Sequence, residues 1–145
     1  MIFIFIAVIF FFDQLTKVLI TQALSLHQSV PLIKGVLHLT LVRNRGAAFG
    51  IFKDQAPLFI LTSLIAIILI SVQLKKDKLK IFSIYTLSLS LILAGALGNL
   101  ADRLLFGYVI DFIDFRIWPV FNIADSAITI GAILLGYSVL TSKNA

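Results

Sequence analysis

The chain has 145 residues, of which 60% are hydrophobic and only 13% are charged, so an ordinary soluble domain is excluded and an integral membrane protein is predicted. In this setting the net charge of +5 does not indicate nucleic acid binding, and no nucleic acid partner is expected. The sequence contains no cysteine, which excludes disulfides, thiolate metal ligands and a cysteine nucleophile within the chain.

Four apolar runs predict four membrane-spanning helices within a single integral membrane domain, residues 1–145. Each run is close to the ~20 residues that cross ~30 Å of hydrocarbon. The first run is interpreted as a retained helix rather than a signal peptide, because it has no basic N-terminal region and carries Asp13 and Lys17. The predicted helices cover about residues 2–22, 58–74, 81–104 and 122–141.

The loop between the second and third runs, LKKDKLK at Leu74 to Lys80, contains four lysines. The positive-inside rule places this loop in the cytoplasm, so both termini are predicted to be cytoplasmic and the other two connections to lie on the outer face. Four cations in the first outer connection oppose this topology, but they are spread over roughly twenty positions and carry less weight. They are Lys34, Arg43, Arg45 and Lys53.

The first outer connection, about residues 25–56, is too long for a simple helix hairpin. Its segment VPLIKGVLHLTLV, Val30 to Val42, is rich in aliphatic and β-branched residues and predicts short strands. Strand-like sequence also occurs in the connection Phe106 to Phe121. We therefore predict an all-α membrane fold of four helices with a small β-cradle, formed by the first and third connections on the outer surface.

Two sets of polar residues lie close to the outer ends of the predicted helices. Asp13 and Lys17 in DQLTK are spaced i, i+4 and predict an ion pair on one helix face. Asn44 begins NRGAAFG, a segment that either forms a turn or brings Asn44 to the backbone of an extended substrate.

The second set of polar residues lies near the C-terminal end of the third predicted helix. Asn99, Asp102 and Arg103 are spaced i, i+3, i+4, so they point to one side of that helix, which we expect to face inward. They can form a buried polar network, and the guanidinium of Arg103 can also recognise carbonyls or carboxylates of a ligand.

Three aspartates remain. Asn122 and Asp125 have the form of a capping box at the start of the fourth helix, which is a sufficient structural explanation for both. Asp111 and Asp114 in YVIDFIDFR face opposite ways if the segment is extended, so one can face a site while the other faces solvent and pairs with Arg116. The pattern alone does not decide which of the two is inside.

Two carboxylates that converge in a poorly solvated site can share one proton and activate water, as in aspartic proteases. This chemistry suits a chain without cysteine in which nothing places His27 or His38 beside a serine. A metal site would need a tight cluster of histidine and acidic ligands, which the sequence does not suggest.

Together these motifs resemble the signal peptidase II family of bacterial inner-membrane aspartyl proteases. DQLTK, NRGAAFG, GNLADRLLFGYVIDFIDF and FNIADSAITIG occur in the family's order, and the resemblance extends from Asp13 to Gly131. It implies removal of the signal peptide from diacylglyceryl-modified prolipoproteins, cut before the lipidated cysteine near the periplasmic face.

The resemblance also implies roles for particular residues. Asp111 and Asp125 match the family's catalytic dyad, and Asp114 would have no catalytic role. It implies no metal or organic cofactor, contact with membrane lipids, inhibition by globomycin-type cyclic peptides and a location in the bacterial inner membrane. Separately, we expect a monomer. The polar residues around substrate and dyad would be Asn44, Asn99, Asp102, Arg103 and Asn122, with Asp13 and Lys17 in support.

Two other functions are compatible with the composition. A small proton or ion translocator would use Asp13, Asp102 and Asp125 strung across the membrane depth, whereas the sequence gathers the acids near the outer side. A non-catalytic membrane assembly factor would explain the helices but would leave the paired acids without a role.

Overall fold

The computed structural model describes residues 1–46, 55–76 and 83–142. Within these ranges the chain forms four helices and three strands in the order α1, β1, β2, α2, α3, β3, α4. The helices are α1 (Ile2–Ala23), α2 (Ala56–Lys76), α3 (Ile84–Phe106) and α4 (Ile123–Ser142), and the strands are β1 (Ser29–Ile33), β2 (Leu37–Asn44) and β3 (Val109–Asp114).

The predicted fold class is confirmed, because the described residues contain four helices long and apolar enough to cross a membrane and a small antiparallel sheet. The 22 residues of α1 span about 33 Å, which matches the thickness of the hydrocarbon core. The predicted start of the third helix at residue 81 and residues 77–80 of the lysine-rich loop lie outside the described residues. That the chain forms one integral membrane domain stays a prediction.

Helix α3 lies at the centre of the helical bundle. It packs against α1, α2 and α4, and 61% of its apolar span is buried, compared with 17% for α1 and α4. Small residues permit this packing: a Cβ added at Gly95 would collide with the backbone carbonyl oxygen of Ala124. The first turn of α4, which carries Asp125, is therefore held closely against α3.

The three strands form one antiparallel sheet in the order β1, β2, β3. Because β1 and β2 come from the first connection and β3 from the third, the two connections meet as predicted. The register pairs Asn44 with Val109 and Val42 with Asp111, after an irregularity between Leu39 and Val42. The C-terminal end of β2 is thereby brought beside Asp111.

A hydrophobic cluster fixes this sheet to the helices. Ile20 near the end of α1 packs with Leu41 of β2 and with Ile110 and Phe112 of β3, and all four side chains are buried. Strand β1 is exposed along its whole length. The sheet is thus anchored through β2 and β3, and β3 is the strand that carries Asp111.

Candidate active site

Asp111 of β3 is buried and held by two amide side chains. Only 1% of the residue is exposed. Its Oδ1 accepts a hydrogen bond from Nδ2 of Asn122 at 2.7 Å, and its Oδ2 accepts one from Nδ2 of Asn44 at 2.9 Å. Burial, followed by the nearby charge of Asp125, raises the pKa of Asp111 to about 7, although both amides oppose the shift. This carboxyl group can therefore hold a proton at neutral pH.

Asp125 occupies the first turn of α4 and is half-buried. Its Oδ1 accepts from Nδ2 of Asn99 at 2.7 Å, and its Oδ2 accepts from the backbone N of Asn122 at 3.3 Å. In return, Oδ1 of Asn122 accepts from the backbone N of Asp125 at 2.8 Å. The predicted capping box is present. The cap links Asp125 to Asn122, the residue that also contacts Asp111, so a capping role and a chemical role are compatible.

Asn122 joins the two carboxyl groups and is fully buried. Besides Asp111, its Nδ2 group donates to Oδ1 of Asn99 at 3.1 Å and to the carbonyl oxygen of Ile110 at 3.2 Å. Two N–H bonds serve these three acceptors, so one of them is shared. A single side chain therefore contacts one acid directly and the other through its cap.

Asn44 forms the turn predicted from the sequence and also contacts Asp111, while its contact with a substrate backbone stays a prediction. Its Oδ1 accepts from the backbone N of Gly46 at 2.9 Å, which is the predicted turn, while its Nδ2 donates to Asp111. The turn fixes the amide so that its NH₂ group faces the acid. The rest of the NRGAAFG motif, residues 47–50, lies outside the described residues.

Lys17 is the centre of a second polar cluster, which is joined to the residues around Asp111 and Asp125 through Asn99. Its Nζ lies 2.8 Å from Oδ2 of Asp13, 3.0 Å from Oδ2 of Asp102 and 3.3 Å from Oδ1 of Asn99. The predicted pair of Asp13 and Lys17 is present, and Asp102 joins it as a second buried acid. Gln14, which was not predicted from the sequence, also belongs to the cluster, and its Nε2 donates to both acids at 3.1 Å. Its position beside Asp13 in an apolar helix was the available signal.

The acids of this cluster also accept backbone hydrogen bonds from the neighbouring elements. Oδ1 of Asp13 accepts from the backbone N of Ala124 at 2.9 Å, and Oδ2 of Asp102 accepts from the backbone N of Ile110 at 3.0 Å. Consequently α1 is joined to the start of α4, and α3 is joined to the strand that carries Asp111.

Arg103 is half-buried, in contrast to the fully inward position of Asn99 and Asp102. Its guanidinium group lies 4.7 Å from the centre of the Phe59 ring of α2, which is cation–π distance. It also interacts electrostatically with Asp125, Asp111 and Asp102. The guanidinium is therefore placed at the open side of the site.

A cavity of about 360 Å³ lies against this constellation, and Asp125 is part of its wall. A more apolar groove of about 430 Å³ also reaches Asp125, and is lined by Phe115, Ser126 and Ile130 among others. Trp118 and Phe121 line both spaces. The wall of the first cavity is drawn from β2, α2, α3, β3, α4 and the segments that follow β2 and β3: Asn44, Gly46, Phe59, Asn99, Arg103, Val109, Trp118, Pro119, Val120, Phe121, Asp125, Ile128 and Thr129.

Asp114 does not face solvent, which corrects one expectation from the sequence. It is only 5% exposed, because Thr40 of the paired strand β2 covers it and donates to its Oδ2 at 2.7 Å. The predicted pair with Arg116 is present, with Nη1 at 3.1 Å from the same oxygen. Burial acts to raise the pKa of Asp114, but these hydrogen bonds outweigh it and hold that pKa below its ordinary value. The Asp114 carboxylate is therefore hydrogen-bonded by Thr40 and Arg116 and not by the residues that hold Asp111 and Asp125.

Within residues 1–46, 55–76 and 83–142, no three histidine or acidic side chains are grouped so that they could hold a metal ion.

Comparison with known proteins gives a consistent family. The model of the family described as "Signal peptidase (SPase) II" matches residues 5–141. The chain belongs to the signal peptidase II family. A relative from Halothermothrix orenii, named "Lipoprotein signal peptidase", is 47% identical over 135 residues, which cover 93% of this chain and 92% of the relative. The protein of the same name from Caldanaerobacter subterraneus subsp. tengcongensis is 47% identical over 137 residues, with the same two coverages.

A solved structure described as a bacterial membrane enzyme at 2.3 Å resolution has the same fold as this signal peptidase II family member. The TM-score is 0.89 and the sequence identity 39%, and the match covers 97% of this chain and 88% of the other. Together with the four helices that can span a membrane, this likeness identifies the chain as a multi-pass membrane protein.

Proposed function

We propose that this chain is an aspartic endopeptidase that removes the signal peptide from diacylglyceryl-modified prolipoproteins, cleaving before the lipidated cysteine. Family membership and the names of its relatives support the substrate class. The observation that supports the aspartic class is the joining of Asp111 and Asp125 by Asn122 in a buried, amide-lined site.

In the proposed mechanism the two carboxyl groups share one proton. The ionised carboxylate takes a proton from a water molecule as the water oxygen bonds to the scissile carbonyl carbon. The protonated carboxyl group hydrogen-bonds the carbonyl oxygen and stabilises its developing charge. When the C–N bond breaks, the proton taken from water passes to the leaving nitrogen, and the pair returns to its starting state.

The polar residues around the cavity have positioning roles in this proposal. Arg103 and Asn44 lie at the cavity wall, where the guanidinium and amide can bind carbonyl groups of an extended peptide. Asn99 and Asn122 hold the acids, and Asp13, Lys17 and Asp102 support the framework. A globomycin-type cyclic peptide would occupy the same cavity, and the acyl chains of substrate and membrane lipids would lie against exposed apolar helix surfaces.

The membrane orientation is also a proposal. Phe59, near the start of α2, lines the cavity, whereas Lys75 lies near the other end of that helix. The site is therefore at the membrane face opposite the lysine-rich loop, and the positive-inside rule makes that face periplasmic. We accordingly propose a monomeric, single-domain enzyme of the bacterial inner membrane with cytoplasmic termini.

The test is cleavage of a lipidated prolipoprotein by purified Asp111→Asn and Asp125→Asn variants. Each is expected to lose at least about 10³-fold in kcat, because one member of the acid pair is removed without a change of shape. Asp114→Asn is the matched control, since it changes a buried acid outside the pair and should retain activity. If either dyad variant is folded and turns over substrate at the normal rate, the proposed function is wrong.

A further inference from the structure

The two acids of the proposed dyad differ in their surroundings. Asp111 lies on a strand, is 1% exposed, and receives its side-chain hydrogen bonds from two neutral amides, those of Asn44 and Asn122. Asp125 lies in the first turn of a helix, where the backbone N–H groups favour negative charge, and it lines both cavities. The two acids are therefore not equivalent before any substrate binds.

Asn99 provides the side-chain hydrogen bond to Asp125, and its amide, like that of Asn44 against Asp111, can adopt only one orientation. Its Oδ1 accepts hydrogen bonds from Nζ of Lys17 at 3.3 Å and from Nδ2 of Asn122 at 3.1 Å. A flipped amide would point its NH₂ group at an ammonium and at another NH₂ group, so all donors would face donors. The NH₂ group of Asn99 must therefore face Asp125, and it lies 2.7 Å from that carboxylate.

A donor fixed against a carboxylate favours the ionised form of that carboxylate. We propose that Asn99, locked by Lys17, is a positioning residue that keeps Asp125 as the ionised base, so that the shared proton resides on Asp111. This inference rests on the proposed function and assigns the two chemical roles within it. Asp125 takes the proton from water, and the O–H of Asp111 donates to the scissile carbonyl oxygen.

The number of hydrogen bonds does not by itself separate the two acids, because Asp111 accepts from the amides of Asn44 and Asn122. What separates them is that Asp111 is 1% exposed on a strand, whereas Asp125 is half-buried in the first turn of α4 and lines both cavities.

Net charge does not separate the two acids either. Asp13 and Asp102 bring two carboxylates to the one ammonium group of Lys17. The charge of this cluster therefore does not favour an additional carboxylate nearby. The charged side chains that face the pair from outside come from two elements: Asp13 and Lys17 from α1, and Asp102 and Arg103 from α3. Within the pair, Asp111 comes from β3 and Asp125 from α4.

The test compares two matched variants, Asn99→Ser and Asn44→Ser, each of which alters the amide that contacts one acid. The pH dependence of kcat/KM for a lipidated peptide substrate is measured for both, and its acidic limb reports ionisation of the base. Asn99→Ser is expected to move the acidic limb to higher pH by about one unit, the size expected for losing one hydrogen bond to a charged group. Asn44→Ser should leave the acidic limb in place.

Two outcomes would overturn the assignment: movement of the acidic limb in Asn44→Ser alone, or no movement in either variant. These outcomes are distinct from failure of the proposed function, which would appear as normal turnover by the Asp111→Asn or Asp125→Asn variant.

A second measurement does not depend on activity or on an Asn99 variant. The carboxyl carbons of ¹³C-labelled aspartate are followed by NMR in detergent micelles as pH is raised, with the two resonances assigned from their loss in Asp111→Asn and Asp125→Asn. The larger step of the Asp125 resonance should occur at lower pH than that of Asp111. The reverse order would disprove the assignment.

Discussion

Four buried or half-buried aspartates meet at one end of the helical bundle, and they form two pairs with opposite properties. Asp13 and Asp102, the lysine-held pair, both contact the ammonium group of Lys17. Asp111 and Asp125, the amide-held pair, accept hydrogen bonds from asparagine side chains. Asp13, Asp102 and Asp111 are equally buried. The type of side chain that contacts each acid, a lysine or an asparagine, therefore distinguishes an acid that stabilises structure from one suited to acid–base chemistry.

The physical reason lies in the cost of burying charge. A buried carboxylate that contacts a cation joins structural elements together, but removing the cation leaves an uncompensated buried charge. A carboxyl group held by neutral amides has no such compensating cation, and burial raises the pKa of Asp111 to about 7. Proton exchange is what an acid–base catalyst requires.

The largest expected effect on stability comes from removing the cation of the lysine-held pair. Lys17→Met should lower the free energy of unfolding by about 3–5 kcal/mol, because Asp13 and Asp102 would be left buried without their cation. Thermal unfolding in detergent micelles measures this loss. Arg116→Met is the control, since it breaks an ion pair whose arginine is half exposed and should cost no more than about 1 kcal/mol. Similar losses for the two variants would show that the buried ion pairs of Lys17 contribute no more to stability than the partly exposed pair of Arg116.

The next effect concerns the amide-held pair and pH. The pKa of Asp111 is about 7 in the folded protein against an ordinary value of 3.8, so the folded state binds more protons between these values. Its contribution to stability is fully present below about pH 4 and is lost as pH rises to about 7, by up to about 4 kcal/mol. Unfolding free energies measured from pH 4 to 8 should therefore fall less in Asp111→Asn than in the wild-type protein. If the unfolding free energy fell equally with pH in both proteins, the raised pKa of Asp111 would be contradicted.

A smaller effect is expected from crowding the lysine-held pair. A Cβ at Gly98 would lie 2.5 Å from Oδ2 of Asp13, which is fixed by Lys17 and cannot withdraw freely. Gly98→Ala should cost about 1–3 kcal/mol in the free energy of unfolding. Gly136→Ala is the matched helical control, because open space surrounds that position, and it should be neutral or stabilise by up to about 1 kcal/mol. Equal stability of the two variants would show that Asp13 can move.

The smallest expected effect lies outside both pairs. Thr40→Val removes the hydroxyl that donates to Asp114 and should cost about 1 kcal/mol without changing the rate of prolipoprotein cleavage. Thermal unfolding and the cleavage assay test the two halves of this expectation. A loss of activity in a folded Thr40→Val protein would mean that Asp114 contributes to the reaction.

Features set by local spacing could be predicted from the sequence. The membrane thickness fixes the length of an apolar helix, so four spans could be recognised from their apolar runs. The i, i+4 spacing of Asp13 and Lys17 predicted their pair, and the spacing of Asn122 and Asp125 predicted their cap. Each of these contacts lies within one helix or at its terminus, where sequence distance determines spatial distance.

Features that depend on packing between distant segments could not be predicted. Asp102 reaches Lys17 only because α1 packs against α3, and no local pattern encodes that contact. The double role of Asn44 depends on the register of β2 and β3, which is shifted by an irregularity that has no clear sequence signal. Burial of Asp114 likewise requires Thr40 from the neighbouring strand. The choice of Asp111 over Asp114 as the dyad member came from family resemblance.

The hydrogen bond from the backbone N of Ala124 to Asp13 has a consequence for biogenesis. A membrane protein is synthesised from its N-terminus, so α1 enters the bilayer with an aspartate whose final partner belongs to the last helix. Until α3 and α4 arrive, the neighbouring Lys17 is the one partner within α1 that can neutralise this charge. A ribosome that stalls before α4 would therefore leave an incompletely satisfied polar surface in the membrane, a feature by which membrane quality control could distinguish unfinished chains from complete ones.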